Sequence, residues 1–175
     1  MLMKLITLDF NKHRFDLVEL YVKYFTWIVE EVKKIYDIDL GAGITMTIRE
    51  FFENSINTYE SYKPPDGIIY LIQVNESIMG TGSLRKYDEN IGELKKLFIQ
   101  PECRGNNYGK VIVRKLLEKG KEFGFKKIYL ETAQYMEGAI HIYRSLGFTE
   151  RAEYQKSETP PSIKKYAIYM EKKYD

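Results

Sequence analysis

One stretch of the chain gathers residue types that could do chemistry: Leu94-Lys-Lys-Leu-Phe-Ile-Gln-Pro-Glu-Cys-Arg-Gly-Asn-Asn-Tyr-Gly-Lys110. It reads as a strand that runs directly into a loop containing Gly105 and Gly109, then into a helix. Such a loop lets consecutive backbone N–H groups point one way, and with the helix N-terminus they form an anion site. Arg104 and Lys110 add positive charge at the rim, so phosphate or pyrophosphate is the natural guest. The spacing excludes a Walker-type nucleotide loop. That loop needs four residues between Gly and Gly-Lys, then Ser or Thr; here three separate Gly105 from Gly109, and Val111 follows Lys110. Gly80-Thr-Gly82 has the start of a dinucleotide fingerprint, but Arg85 stands where the third glycine belongs and the segment is itself strand-like.

The elements that must position this loop follow from periodicity. Lys4 to Phe10 is a short strand. A helix is expected from near Asp16, with Glu19 completing a capping box and Leu17, Leu20, Tyr21, Tyr24, Ile28, Val32 and Ile35 on one face. Gly41 to Gly43 ends that unit. Thr47 and Glu50 cap a second helix carrying Phe51, Phe52, Ile56 and Tyr59, and Lys63 to Gly67 is a loop. Ile68–Val74, Ile78–Tyr87 and Glu93–Ile99 are joined by tight turns and predict an antiparallel meander. A helix from Val111 to Phe123, a strand over Lys127–Thr132, a short helix over Gly138–Leu146, and strands over Thr149–Tyr154 and Tyr166–Lys172 complete an α+β chain. A Pro160-Pro161 loop parts the last two strands.

Composition bounds the rest. The 175 residues suit one domain, residues 1–175, and are enough for a real core. A formal charge of +2 argues against a dedicated nucleic-acid binder. Cys103 is the one cysteine, so no disulfide framework exists within the chain, and a reducing, cytoplasmic setting is expected. No apolar run reaches membrane-span length, and MLMKLITLDF is too short and too soon charged for a signal peptide, so no membrane partner is expected. His13, His141 and Cys103 lack metal-ligand spacing, so no metal is inferred. The pairs Lys33-Lys34, Lys95-Lys96, Lys126-Lys127 and Lys164-Lys165 read as ordinary solvated charge.

Arg104-Gly-Asn-Asn107-Tyr-Gly109 resembles the Arg/Gln-x-x-Gly-x-Gly/Ala motif of the GCN5-related N-acetyltransferase (GNAT) superfamily. Ala139-Ile-His-Ile-Tyr-Arg-Ser-Leu-Gly-Phe148 resembles its A-x-x-L-Y-x-x-x-G-F signature. The order of elements matches over most of the chain, and the resemblance is most like the small stand-alone prokaryotic enzymes. Asn107 replaces the motif's central glycine and can keep the left-handed backbone. Met136 replaces the asparagine that relatives use three residues before the alanine, so that cofactor contact is not carried over.

The resemblance implies a mixed, mostly antiparallel sheet with helices on both faces and a splayed strand at the cofactor site. It implies an N-acetyltransferase that moves an acetyl group from acetyl-CoA to a primary amine, with a small-molecule acceptor favoured. A protein acceptor and a non-catalytic CoA-binding module are the alternatives, and the protein would be a monomer or a homodimer. Arg104, Gly105, Asn106, Asn107, Tyr108, Gly109 and Lys110 would hold the pyrophosphate. Leu97, Phe98 and Ile99 would align the pantetheine by edge pairing, which requires a bulge or splay near Leu97–Gln100. Glu93 would act as base, directly or through water, and Tyr143 as acid toward the leaving thiolate. Without that role, Glu93 would be a solvated strand residue facing Lys95. Trp27, Phe51, Phe52, Tyr59 and Tyr62 supply aromatics to the acceptor side.

Overall fold

In the computed structural model, which describes residues 2–174, seven strands form one sheet in the order β1-β2-β3-β4-β5-β7-β6. These are β1 (Met3–Thr7), β2 (Gly67–Val74), β3 (Ser77–Asp88), β4 (Ile91–Ile99), β5 (Lys127–Ala133), β6 (Thr149–Arg151) and β7 (Ala167–Lys173). Every neighbouring pair is antiparallel except β4 and β5. The helices are α1 (Phe10–Tyr36), α2 (Ile48–Ser55), α3 (Tyr108–Glu122) and α4 (Glu137–Ser145).

The sheet is covered on both faces, and β2 records this in its composition. Its residues are almost all buried, which a continuous β-branched and aromatic run requires. Ile68, Tyr70 and Ile72 pack with Ile112, Val113 and Leu116 of α3. Ile69 and Leu71, one pleat away, pack with Leu17, Leu20 and Tyr21 of α1 and Phe52 of α2. Gly82 lies within β3, where a Cβ would meet Ile112 Cδ1 at 3.2 Å; it serves close helix–sheet packing, not a nucleotide turn. No helix among the described residues is long and apolar enough to cross a membrane.

Several boundaries differ from the sequence expectation: β1 ends at Thr7 and not Phe10, α3 starts at Tyr108 and not Val111, and two further shifts concern α1 and β6. α1 begins at Phe10, not near Asp16, because Asp9 is the N-cap: its carboxylate accepts from the backbone N–H of Asn11 at 3.1 Å and Lys12 at 3.3 Å. The added turns are largely exposed, so apolar periodicity could not reveal them; Glu19, expected to close a box with Asp16, pairs with Arg49 at 2.6 Å instead. β6 stops at Arg151, after which the chain leaves β7 as a loop carrying Tyr154, Ser157 and Glu158. The Thr47–Glu50 capping box forms in full.

Candidate active site

The sheet is interrupted where the sequence places its most reactive stretch. β4 pairs with β5 only over Ile91–Leu94, and from Lys95 onward its β5-facing edge has no partner strand. On its other side the β3 register slips: Ser83 faces Lys95 but Thr81 faces Phe98, so Lys96 and Leu97 together oppose Gly82. This is a β-bulge, with Lys96 in the left-handed region at φ 56°. The bulge falls at the N-terminal edge of the expected Leu97–Gln100 interval. It bends β4 away from β5 and opens the sheet.

The loop beyond β4 has the form of an anion cradle. Gly105 and Asn107 take left-handed conformations at φ 81° and 60°, and α3 starts immediately after Asn107 without a side-chain cap. Among the described residues, none of the backbone N–H groups of Gly105, Asn106, Asn107, Tyr108, Gly109 and Lys110 donates to another part of the chain. Six neighbouring donors without acceptors, at the positive end of a helix, suit a multiply charged anion. The Asn106 side-chain amide braces the loop by donating to the Cys103 and Arg104 carbonyls, each at 3.2 Å. Gly109 has a second use, since a Cβ there would press on Ile142 Cδ1 of α4 at 2.9 Å. Arg104 turns back toward the sheet: its Nε donates to the Ile99 carbonyl at 3.1 Å and its guanidinium lies 5.1 Å from the Trp27 ring centre.

Glu93 and Lys95 are not the solvated pair that a simple alternation implies. Glu93 is fully buried; Arg85 donates to it at 2.8 Å, the Tyr154 hydroxyl donates to it at 2.8 Å, and Lys95 lies 3.7 Å away. Lys95 in turn pairs with Glu131 at 3.1 Å and Glu158 at 2.9 Å, and Arg85 also pairs with Glu158. Glu131 further accepts from the Ser157 and Thr159 hydroxyls and from the Glu158 backbone N–H. Burial by itself would raise the carboxyl of Glu158, but Lys95 and Arg85 hold it down to about 2. The pair Lys95-Lys96 is therefore a correction: both side chains are withdrawn from bulk water, Lys95 being 8% exposed.

Above this floor opens a cavity of about 1770 Å³ walled by α1, α2 and the segment around Thr159–Ile163. Phe51, Phe52, Tyr59 and Tyr62 line it, as expected for the acceptor side; Trp27 does not. Tyr143 on α4 is buried, with its ring edge against Phe148, and its hydroxyl has no hydrogen-bond partner among the described residues. Burial, with Tyr24 nearby, raises its phenol far above the ordinary value, so it stays protonated. Tyr24 was legible only as a core residue of α1. Its ring stacks on Phe98 at 5.1 Å, and burial, with Glu131's charge, pushes its phenol up to about 12. Cys103 is buried with its thiol raised by burial, which suits packing, and His141 is exposed. Among the described residues no group of His, Cys, Asp and Glu is arranged to hold a metal.

Residues 16–148 match the family model described as Acetyltransferase (GNAT) family. The chain therefore belongs to that family and to its class of enzyme, the acetyl-CoA-dependent N-acetyltransferases. It is 27% identical over 124 residues to the N-acetyltransferase YjgM of Escherichia coli, covering 69% of this chain and 72% of that one. By structure it is similar to an acetyltransferase of the GNAT family from Staphylococcus aureus, with a TM-score of 0.71 at 20% identity, covering 98% and 99% of the two chains. It is similar too to the PaiA N-acetyltransferase of Thermoplasma acidophilum, solved in complex with coenzyme A, with a TM-score of 0.67 at 18% identity and coverage of 99% and 100%.

Proposed function

We propose that the 175 residues act as one catalytic unit that acetylates the primary amine of a small molecule held in the cavity beside β4. The observation that carries this reading is a pair of unused backbone sets on either side of the bonded turn Gln100–Arg104. One is the β4 edge from Lys95, which β5 leaves unpaired; the other is the free N–H groups of Gly105–Lys110. An extended thioester arm suits the first and its diphosphate the second. Bound acetyl-CoA would supply the activated acyl carbon. Gly105, Asn106, Asn107, Tyr108, Gly109 and Lys110 would grip its pyrophosphate, and Leu97, Phe98 and Ile99 would align its pantetheine amides, with Arg104 releasing Ile99 if that carbonyl is used.

As the amine nitrogen bonds to the acyl carbon, the C–S bond breaks and two protons must be managed. Tyr143 fits as a hydrogen-bond donor to the leaving sulfur, since its hydroxyl makes no hydrogen bond among the described residues and burial keeps the proton on its oxygen. Glu93 is not on the cavity wall and is already bonded to Arg85 and Tyr154, so it draws the amine's proton through water rather than by contact. The cavity is partly open to solvent, and its aromatic lining suits a small acceptor with an apolar body.

The test has two stages. Millimolar acetyl-CoA should raise the melting temperature, about 2.7 kcal/mol of stabilisation being expected at a hundredfold excess over Kd. Thiol release should then follow with at least one member of an amine panel. No melting shift would remove the cofactor site, and a shift without thiol release from any amine would leave binding without catalysis.

A further inference from the structure

Two lysines that line the cavity have no ion-pair partner among the described residues: Lys156, which is exposed with its Nζ 5.0 Å from the Tyr87 ring centre, and Lys96, which is half-buried. The carboxylates of the floor are engaged, Glu93 by Arg85 and Tyr154, Glu131 by Lys95 and the two hydroxyls, and Glu158 by Arg85 and Lys95, while Asp66, Asp88 and Glu89 lie exposed at the margin with Lys86 beside Asp66 and Glu89. A polycationic acceptor would find no free carboxylate on the floor, only the exposed ones at the margin. Lys96 is the opposite case. Among the described residues it has no ion-pair or hydrogen-bond partner, and its Nζ rests 4.6 Å from the centre of the Phe25 ring. It lines the cavity, since the bulge turns two consecutive side chains, Lys95 and Lys96, toward the same charged cluster. Its backbone is left-handed, a conformation that costs an ordinary L-residue energy and that glycine would adopt freely. Lys156 is left-handed too, at φ 62°, but exposed; a strained backbone that holds an ammonium half-buried at a cavity without a carboxylate is the arrangement of a binding group.

We propose that Lys96 receives an anionic group of the acceptor, so that the natural substrate carries a carboxylate or phosphate beside its amine and an apolar body against the aromatic wall. This rests on the acetyltransferase reading but is tested separately from it, by binding without turnover. Calorimetry on the unreacted protein compares phenylalanine with phenethylamine, tryptophan with tryptamine, and O-phosphoethanolamine with ethanolamine, with spermidine as the polycation.

The anionic member of at least one pair should bind about tenfold or more tightly than its partner, the scale of a charge-assisted contact. The carboxylate and phosphate pairs tell the two anions apart. Lys96→Met should abolish that preference while leaving the neutral partner's affinity unchanged, and Lys96→Arg should restore it. The inference is overturned if neutral amines or spermidine bind as well as the anionic ones, if no anionic amine binds, or if Lys96→Met keeps the preference. Thiol release measured on the same panel speaks to the acetyltransferase reading alone: anion-selective binding without release would overturn that reading and leave Lys96's role standing.

Discussion

Tyr143 and Glu93 illustrate how differently two buried acids can be prepared. Tyr143 has lost water and gained no partner, so its proton is held tightly and its hydroxyl is free for a ligand. Tyr143→Phe should lower kcat by about a hundredfold or more if the hydroxyl serves the leaving sulfur, with the acetyl-CoA melting shift retained. Equal kcat in both forms would assign the tyrosine to packing. Glu93 has lost water and gained a guanidinium and a phenol. Breaking a buried pair strands the remaining charge, so Glu93→Gln should cost about 3 kcal/mol in denaturant unfolding, which an exposed strand residue would not. Both residues were visible by motif position, but only packing distinguishes a free hydroxyl from a carboxylate already engaged.

The bulge in β4 and the loop that follows it decide the site at the level of elements. The meander was legible because period-two alternation and turn residues are local signals. The bulge was expected only because a cofactor edge had to stay open, and its residue, Lys96, looked like surface charge because its neighbour is also lysine. No sequence rule places a left-handed lysine there: its conformation follows from Gly82 facing two residues of β4. The loop was read more fully, since Asn is the next-best residue to Gly in a left-handed position and Asn107 adopts it at φ 60°. Asn107→Ala should therefore cost about 1 kcal/mol in stability and shrink the acetyl-CoA melting shift, whereas Asn107→Gly keeps both. An unchanged shift in the alanine form would mean that the left-handed turn does not shape the cradle.

Across the whole molecule, one loop ties the far edge of the sheet to its opened centre. Glu158, Ser157 and Thr159 reach from the β6–β7 connection onto Arg85, Lys95 and Glu131. The carboxyl of Glu158 stands at about 2 in the folded protein against an ordinary 4.5, and that of Glu131 is also lowered, where Lys95 and the Ser157 hydroxyl outweigh burial. Such depressed groups stabilise the fold fully above their ordinary range and lose that effect as pH falls through the folded values. Melting temperature should thus drop as pH falls from about 4.5 toward 2, and less steeply in Glu158→Gln. Parallel descents in the two proteins would show that the loop's ion pairs contribute nothing to acid stability.

The element order, the turn after β4 and the family signature were legible in the chain, because each is written in residues close together along it, and helices on both faces of the sheet followed only through the family resemblance. Tertiary structure alone decided where α1 begins, which carboxylates are neutralised, and which of two adjacent lysines is left without a partner. Those depend on side chains from Arg85 to Glu158 meeting around one break in the sheet, and electrostatic pairing at that range has no local signature.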